Sequence, residues 1–143
     1  MQFLITGVDH EGRSCVVENR PPAVVPFESG GIRIEFATAT ETCPPPPRPR
    51  GRGNLLPMLG DPGTARWNFI TFPAHAKTAV HHTDSVDFNV VLEGSVDVVL
   101  DDGPHRLNTG DAIVLNGVDH GWQTGESGCR MSTVLITTPP LEA

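Results

Sequence analysis

Short apolar runs with a period of two, and no helical period, organise this chain. Phe3 to Val8 and Ser14 to Glu18 are β-prone runs on either side of the turn-forming Asp9-His10-Glu11-Gly12, and they predict a hairpin. After Pro21-Pro22, the residues Val24-Val25 and Ile32 to Thr38 predict further strands, with Gly30-Gly31 as the break between them. The pattern resumes at Trp67 to Phe72 and continues through Phe88 to Leu92, Ser95 to Leu100, Ala112 to Leu115 and Met131 to Thr137. Turn signals separate these runs at Pro73, Glu93-Gly94, Asp101-Asp102-Gly103-Pro104, Thr109-Gly110-Asp111 and Gly125-Glu126-Ser127-Gly128. Short strands at such spacing predict a β-sandwich or barrel. Along Phe88 to Leu92, alternation places Phe88, Val90 and Leu92 on a face expected to be core, and Asp87, Asn89 and Val91 on a face that carries the polar groups.

Between these two regions the pattern stops. Residues Thr42 to Gly63 hold seven prolines and four glycines, including Pro44-Pro45-Pro46-Pro47, and must be extended or irregular because proline cannot feed a hydrogen-bonded ladder. Arg48, Arg50 and Arg52 against Asp61 give this loop a local charge of +2. Two readings follow: a lid that meets an anionic or carbonyl-rich ligand, or a solvated and partly disordered excursion.

Composition narrows the class. At 143 residues the chain suits one structural domain, with residues 1–65 as N-terminal strands and a Pro/Arg-rich loop packed on a barrel core at 66–143. Seventeen acidic against ten basic residues give a formal charge of −7, which disfavours nucleic acid and anionic membrane as partners. The first residues carry no basic leader and no window approaches a membrane span, so a soluble cytoplasmic protein is expected. Cys15, Cys43 and Cys129 stand at wide spacings without a C-x-x-C pair and read as structural thiols.

The candidate chemistry lies in His81, Asp87 and His120, each on the inner face or rim of a predicted strand. Two imidazoles and a carboxylate brought to one point hold a divalent ion facially and leave positions open for water or substrate. The same groups can form a buried hydrogen-bonded network that holds the sheet register without metal, or an acid/base pair of Asp87 and His120. Thr83, Asn89 and Trp122 are expected to line the pocket, Trp122 as an aromatic wall or as plain packing. His82, next to His81, is expected on the opposite face, exposed or at an interface.

These residues resemble the cupin superfamily, whose first signature is G-x5-H-x-H-x3,4-E-x6-G. His81 takes the first histidine position, Thr83 the second, Asp87 the glutamate and Gly94 the closing glycine, with His75 where the leading glycine would be. In the second signature, G-x5-P-x-G-x2-H-x3-N, Gly110, Gly117 and His120 match in a version one residue shorter, and Thr124 replaces the asparagine. The run Thr83-Asp84-Ser85-Val86-Asp87 is similar to a subgroup of small cupins associated with secondary metabolism. The resemblance covers residues 66–137 and implies an all-β double-stranded β-helix, a jelly-roll barrel with an N-terminal strand extension. It also implies a divalent transition metal (Fe, Zn, Mn or Ni) inside the barrel, although two histidines, an aspartate and a threonine stand where cupins carry three histidines and a glutamate. The expected function is a metal-dependent enzyme acting on a small oxygenated substrate by dehydration, isomerisation or cyclisation. An Fe(II) dioxygenase and a non-catalytic small-molecule-binding module are the alternatives. Strands with apolar residues on both faces need cover, and a homodimer is expected to supply it.

Overall fold

Alternation prevails over nearly the whole chain: in a computed structural model that describes residues 1–25, 31–49, 51–57 and 60–142, every regular element is a strand. In chain order these are β1 (Phe3–Val8), β2 (Ser14–Asn19), β3 (Ala23–Val25), β4 (Ile34–Phe36), β5 (Asn54–Leu55) and β6 (Ala65–Phe72). They are followed by β7 (His81–His82), β8 (Ser85–Leu100), β9 (Gly103–Asn108), β10 (Ala112–Leu115), β11 (Gly121–Gln123) and β12 (Cys129–Thr137). The main sheet runs β2-β1-β10-β8-β12-β6, and β9 and β11 pair with the far half of β8. The first hairpin thus extends the barrel sheet, because β1 lies parallel to β10 with Leu4 opposite Ile113. This is the double-stranded β-helix that the cupin resemblance implies.

β8 builds the barrel by belonging to both sheets. The expected turn at Glu93-Gly94 is instead a bend inside one 16-residue strand. Its first half pairs with β10 and β12, and its second half with β9 and β11. Register slips between Arg130 and Met131, so the chain bulges and turns out of the first sheet. Gly94 makes the bend feasible: its φ is 73°, and a Cβ there would lie 2.2 Å from the Gly128 carbonyl oxygen.

The barrel core is apolar at one end. Leu4, Val96, Val98, Leu107, Ile113 and Met131 are almost wholly removed from solvent, each worth about 1.5–3 kcal/mol of burial. The core face of β8 differs from the sequence expectation. Asp87, Asn89 and Val91 point inward and are buried, whereas Val90 and Leu92 are exposed on the outer face and Phe88 is half-buried there. The polar parity won because the opposite sheet closes over it, and the outer apolar parity receives only partial cover from the segment around Ala37.

The Pro/Arg-rich stretch is a strap around the barrel. Its residues Asn54–Leu55 form a parallel pair with His81–His82, and Gly63 N–H donates to the Thr137 carbonyl at 2.7 Å. Arg50, part of the expected basic cluster, and Gly30, part of the expected break after Val25, lie outside the described residues. No helix here is long and apolar enough to cross a membrane among the described residues.

Candidate functional site in the barrel

The first half of β8 carries a polar row into the barrel. Asn89 faces Thr133 across the ladder, and Thr133 faces Asn68. Thr133 donates through Oγ1 to Asn89 Oδ1 at 2.8 Å, while Asn89 Nδ2 donates to the carbonyls of Asp87 and Ile113 at 3.3 Å each. Ser85 donates to Asp87 Oδ1 at 2.5 Å and sits 2.7 Å from Thr83 Oγ1. A serine has one proton; with it committed to the carboxyl, Thr83 must be the donor in the second contact. Burial pushes the Asp87 carboxyl up to about 7 against the opposing pull of the Ser85 hydrogen bond.

The facing sheet contributes two imidazoles. His81 and His120 exchange both backbone hydrogen bonds, at 3.0 and 2.9 Å, so their side chains emerge side by side. Their ring centroids are 4.4 Å apart, and Trp122 meets the His120 ring edge-on at 5.8 Å. Each ring is oriented by a carbonyl two residues back: His81 Nδ1 by Ala79 at 3.0 Å and His120 Nδ1 by Val118 at 2.9 Å. A carbonyl can only accept, so both Nδ1 atoms carry a proton, and in the neutral ring it is Nε2 that keeps a lone pair. Burial, then the neighbouring His81, lowers His120 to about 4, leaving it neutral near pH 7.

Of the three sequence-predicted ligands, the structure brings His81 and His120 together and places Asp87 in its own hydroxyl chain. No three His, Cys, Asp or Glu side chains among the described residues are disposed to hold one ion. The charges that bear on His120 are those of His81, Asp119 and His82. Two imidazole nitrogens are the donors such an ion would use here, but the three-ligand set is not assembled among the described residues.

His82 corrects the sequence expectation. It does point away from His81, but it is buried at 4% exposure because the strap covers it. Its Nδ1 lies 3.1 Å from Asp119 Oδ1, and Asp119 also accepts the N–H groups of Arg52 at 2.5 Å and Gly53 at 2.9 Å. Burial alone would raise Asp119; these donors together hold its carboxyl below the usual range. Sequence reasoning missed Asp119, although its place beside His120 and the Gly51-Arg52-Gly53 run, which leaves backbone N–H groups unobstructed, were the available signals.

Two motif positions that depart from the cupin pattern, His75 and Thr124, tie a turn here. His75, in place of a glycine, has φ 57° and donates its N–H to the Gly125 carbonyl at 2.9 Å, so the left-handed backbone persists without the glycine. Thr124, in place of asparagine, donates to the Pro73 carbonyl at 2.6 Å and accepts the Ala76 N–H at 2.9 Å, tying the same turn.

The two buried titrating groups predict opposite pH effects on stability. Asp87 is raised, so its neutral form is favoured in the fold, and its contribution is full below about pH 4 and lost as pH rises towards 7. His120 is depressed, so its contribution is full above about pH 6.5 and lost as pH falls towards 4. Between these limits the slopes oppose, and the native protein should be nearly flat. Asp87→Asn should leave a stability that climbs by about 3 kcal/mol from pH 4 to 6.5, and His120→Gln one that falls by a similar amount. Urea midpoints at several pH values check this; parallel profiles for all three proteins would refute it.

Comparison with known proteins places this geometry in context. No family model matches the chain. The phomopsin biosynthesis cluster protein C' of Diaporthe leptostromiformis is 30% identical over 149 residues, which cover 96% of this chain and 79% of the relative. Protein D of the same cluster and organism is 33% identical over 84 residues, 57% of this chain and 44% of that protein. Among solved structures, the polyketide cyclase RemF from Streptomyces resistomycificus is 28% identical and superposes on 53% of this chain and 57% of its own, with a TM-score of 0.49.

Proposed function

From a chain that belongs to the family of phomopsin biosynthesis cluster protein C', and to the cupins, we propose a small enzyme of secondary metabolism acting on a compact oxygenated substrate. The reaction class is dehydration, isomerisation or cyclisation by proton transfer. The observation that carries this reading is the His81–His120 pair, two rings held 4.4 Å apart with both Nδ1 atoms pinned and both Nε2 lone pairs free. His120 Nε2 takes a proton from carbon or hydroxyl of the substrate, His81 limits the pair to one proton at a time, and Trp122 walls the pocket. Asp87, neutral below about pH 7, donates its carboxyl O–H to a developing oxyanion, while Thr83 and Asn89, whose own donors are already engaged, hold the polar row in place.

The free Nε2 pair also favours a second reading, in which a divalent ion polarises the same substrate oxygen. One experiment separates them. Carbonyl-bearing intermediates of a related cluster are incubated with the protein in D2O, with chelator or with Fe(II), Mn(II), Zn(II) or Ni(II), while oxygen uptake is followed. Deuterium entry at the carbon next to the carbonyl with chelator present supports metal-free acid/base catalysis. Exchange that appears only with metal supports the second reading, oxygen uptake the dioxygenase, and ligand binding with neither the non-catalytic module.

We also propose a homodimer through the outer face of β6, β12 and β8. Trp67 and Phe69 are 68% and 55% exposed, and Phe69, Ser132 and Val90 are cross-strand neighbours on that face. An apolar face of this kind marks a contact surface. Light scattering should give twice the 15.3 kDa chain mass, and Trp67→Glu should halve it.

A further inference from the structure

The strap and the segment before it leave a cavity outside the barrel. It lies between residues 38–48 and the outer faces of β1, β8 and β10, with a volume of about 320 Å³. Its floor is Ile5, Val86, Phe88 and Val114, side chains of opposite parity to the inward-facing Leu4, Asp87, Asn89 and Leu115. An apolar annex of about 150 Å³ adjoins it and shares Thr38, Phe88 and Val114.

Arg48 is the only cation that lines the cavity among the described residues. The base of the Arg48 stem lies across the turn at Gly117, where an added Cβ would come within 2.6 Å of Arg48 Cβ. Its Nε is buried and has no hydrogen-bond partner among the described residues. A buried guanidinium donor without an acceptor is poised for a planar anion, and carboxylate matches its fork geometry. Two carboxylates also line the cavity, but Glu18 is engaged by Arg20 at 2.7 Å and Glu41 is exposed.

We propose that this cavity binds a small organic monocarboxylate, its anion on Arg48 and its apolar body on Phe88, Val86 and Val114. The site is independent of the His81–His120 pair and would remain if that pair had no catalytic role. Because Val86 and Phe88 alternate with Ser85, Asp87 and Asn89 along β8, an occupant braces the strand that carries the interior polar row.

The probe is 3-phenylpropanoate, followed by titration calorimetry and by backbone amide shifts in the full chain. The wild type should bind it saturably with shifts at Phe88 and Val114, and its methyl ester should not bind. Arg48→Gln should weaken binding at least about tenfold, as should Ala39→Trp, which fills the cavity from the exposed strap and leaves the barrel untouched. His120→Ala should bind as the wild type does. No saturable binding up to about 10 mM, equal binding of the ester, full binding by both cavity variants, or loss in His120→Ala would overturn the proposal.

Discussion

His120→Ala is expected to lower kcat/KM on the physiological substrate by about 10²- to 10⁴-fold, the usual worth of a positioned acid/base group. The loss should fall on kcat, because a proton is moved only in the transition state. A companion variant separates chemistry from architecture. His81 depresses proton uptake by its neighbour, a contribution second only to burial. Removing it in His81→Ala should therefore raise the His120 pKa and move the acid limb of the kcat/KM profile to higher pH. A residue that merely packs would leave that limb where it is. Unchanged kcat/KM in His120→Ala, with the pH limb unmoved in His81→Ala, would remove both rings from the chemistry.

Asp119→Ala should cost about 3 kcal/mol of stability and roughly 10 °C in Tm. The carboxylate is 7% exposed and takes three donors, two from the strap backbone and one from His82. Its loss leaves all three without their acceptor and detaches the strap where it covers β7. Gly51→Ala approaches the same lesion from the other side, because a Cβ at Gly51 would lie 1.9 Å from Asp119 Oδ1. Both variants should expose the strap to limited proteolysis near residues 48–57, with Asp119→Asn intermediate since one acceptor remains. Thermal unfolding and the cleavage pattern check this; shifts within about 0.5 kcal/mol would return the strap to a solvated excursion.

The strap shows why local composition misled. Pro44 to Pro47 have no N–H with which to feed a ladder, and that much follows from covalent structure. Composition does not reveal that a distant carboxylate offers acceptors for the Arg52 and Gly53 N–H groups. The same limit governed the site. His81 and His120 were legible as partners because a recognisable spacing brings them to opposing strands, and the bridge between their backbones realises it. Asp87 was legible as buried and polar. Its engagement by Ser85, two residues earlier on the same face, was not, since a hydroxyl competes locally for a carboxyl that spacing alone assigns elsewhere.

By itself the sequence determined the strand-rich barrel, most strand positions and the two histidines that meet, because period-two alternation, turn residues and motif spacing are local properties of the chain. Only the tertiary structure decided which face of β8 is interior, that Glu93-Gly94 bends one strand where a turn would end it, and that the strap buries His82. Those outcomes depend on what covers each surface, and the covering groups, Gly128 against Gly94 and Asp119 against Gly51, are remote in sequence and adjacent only once the sheets have closed.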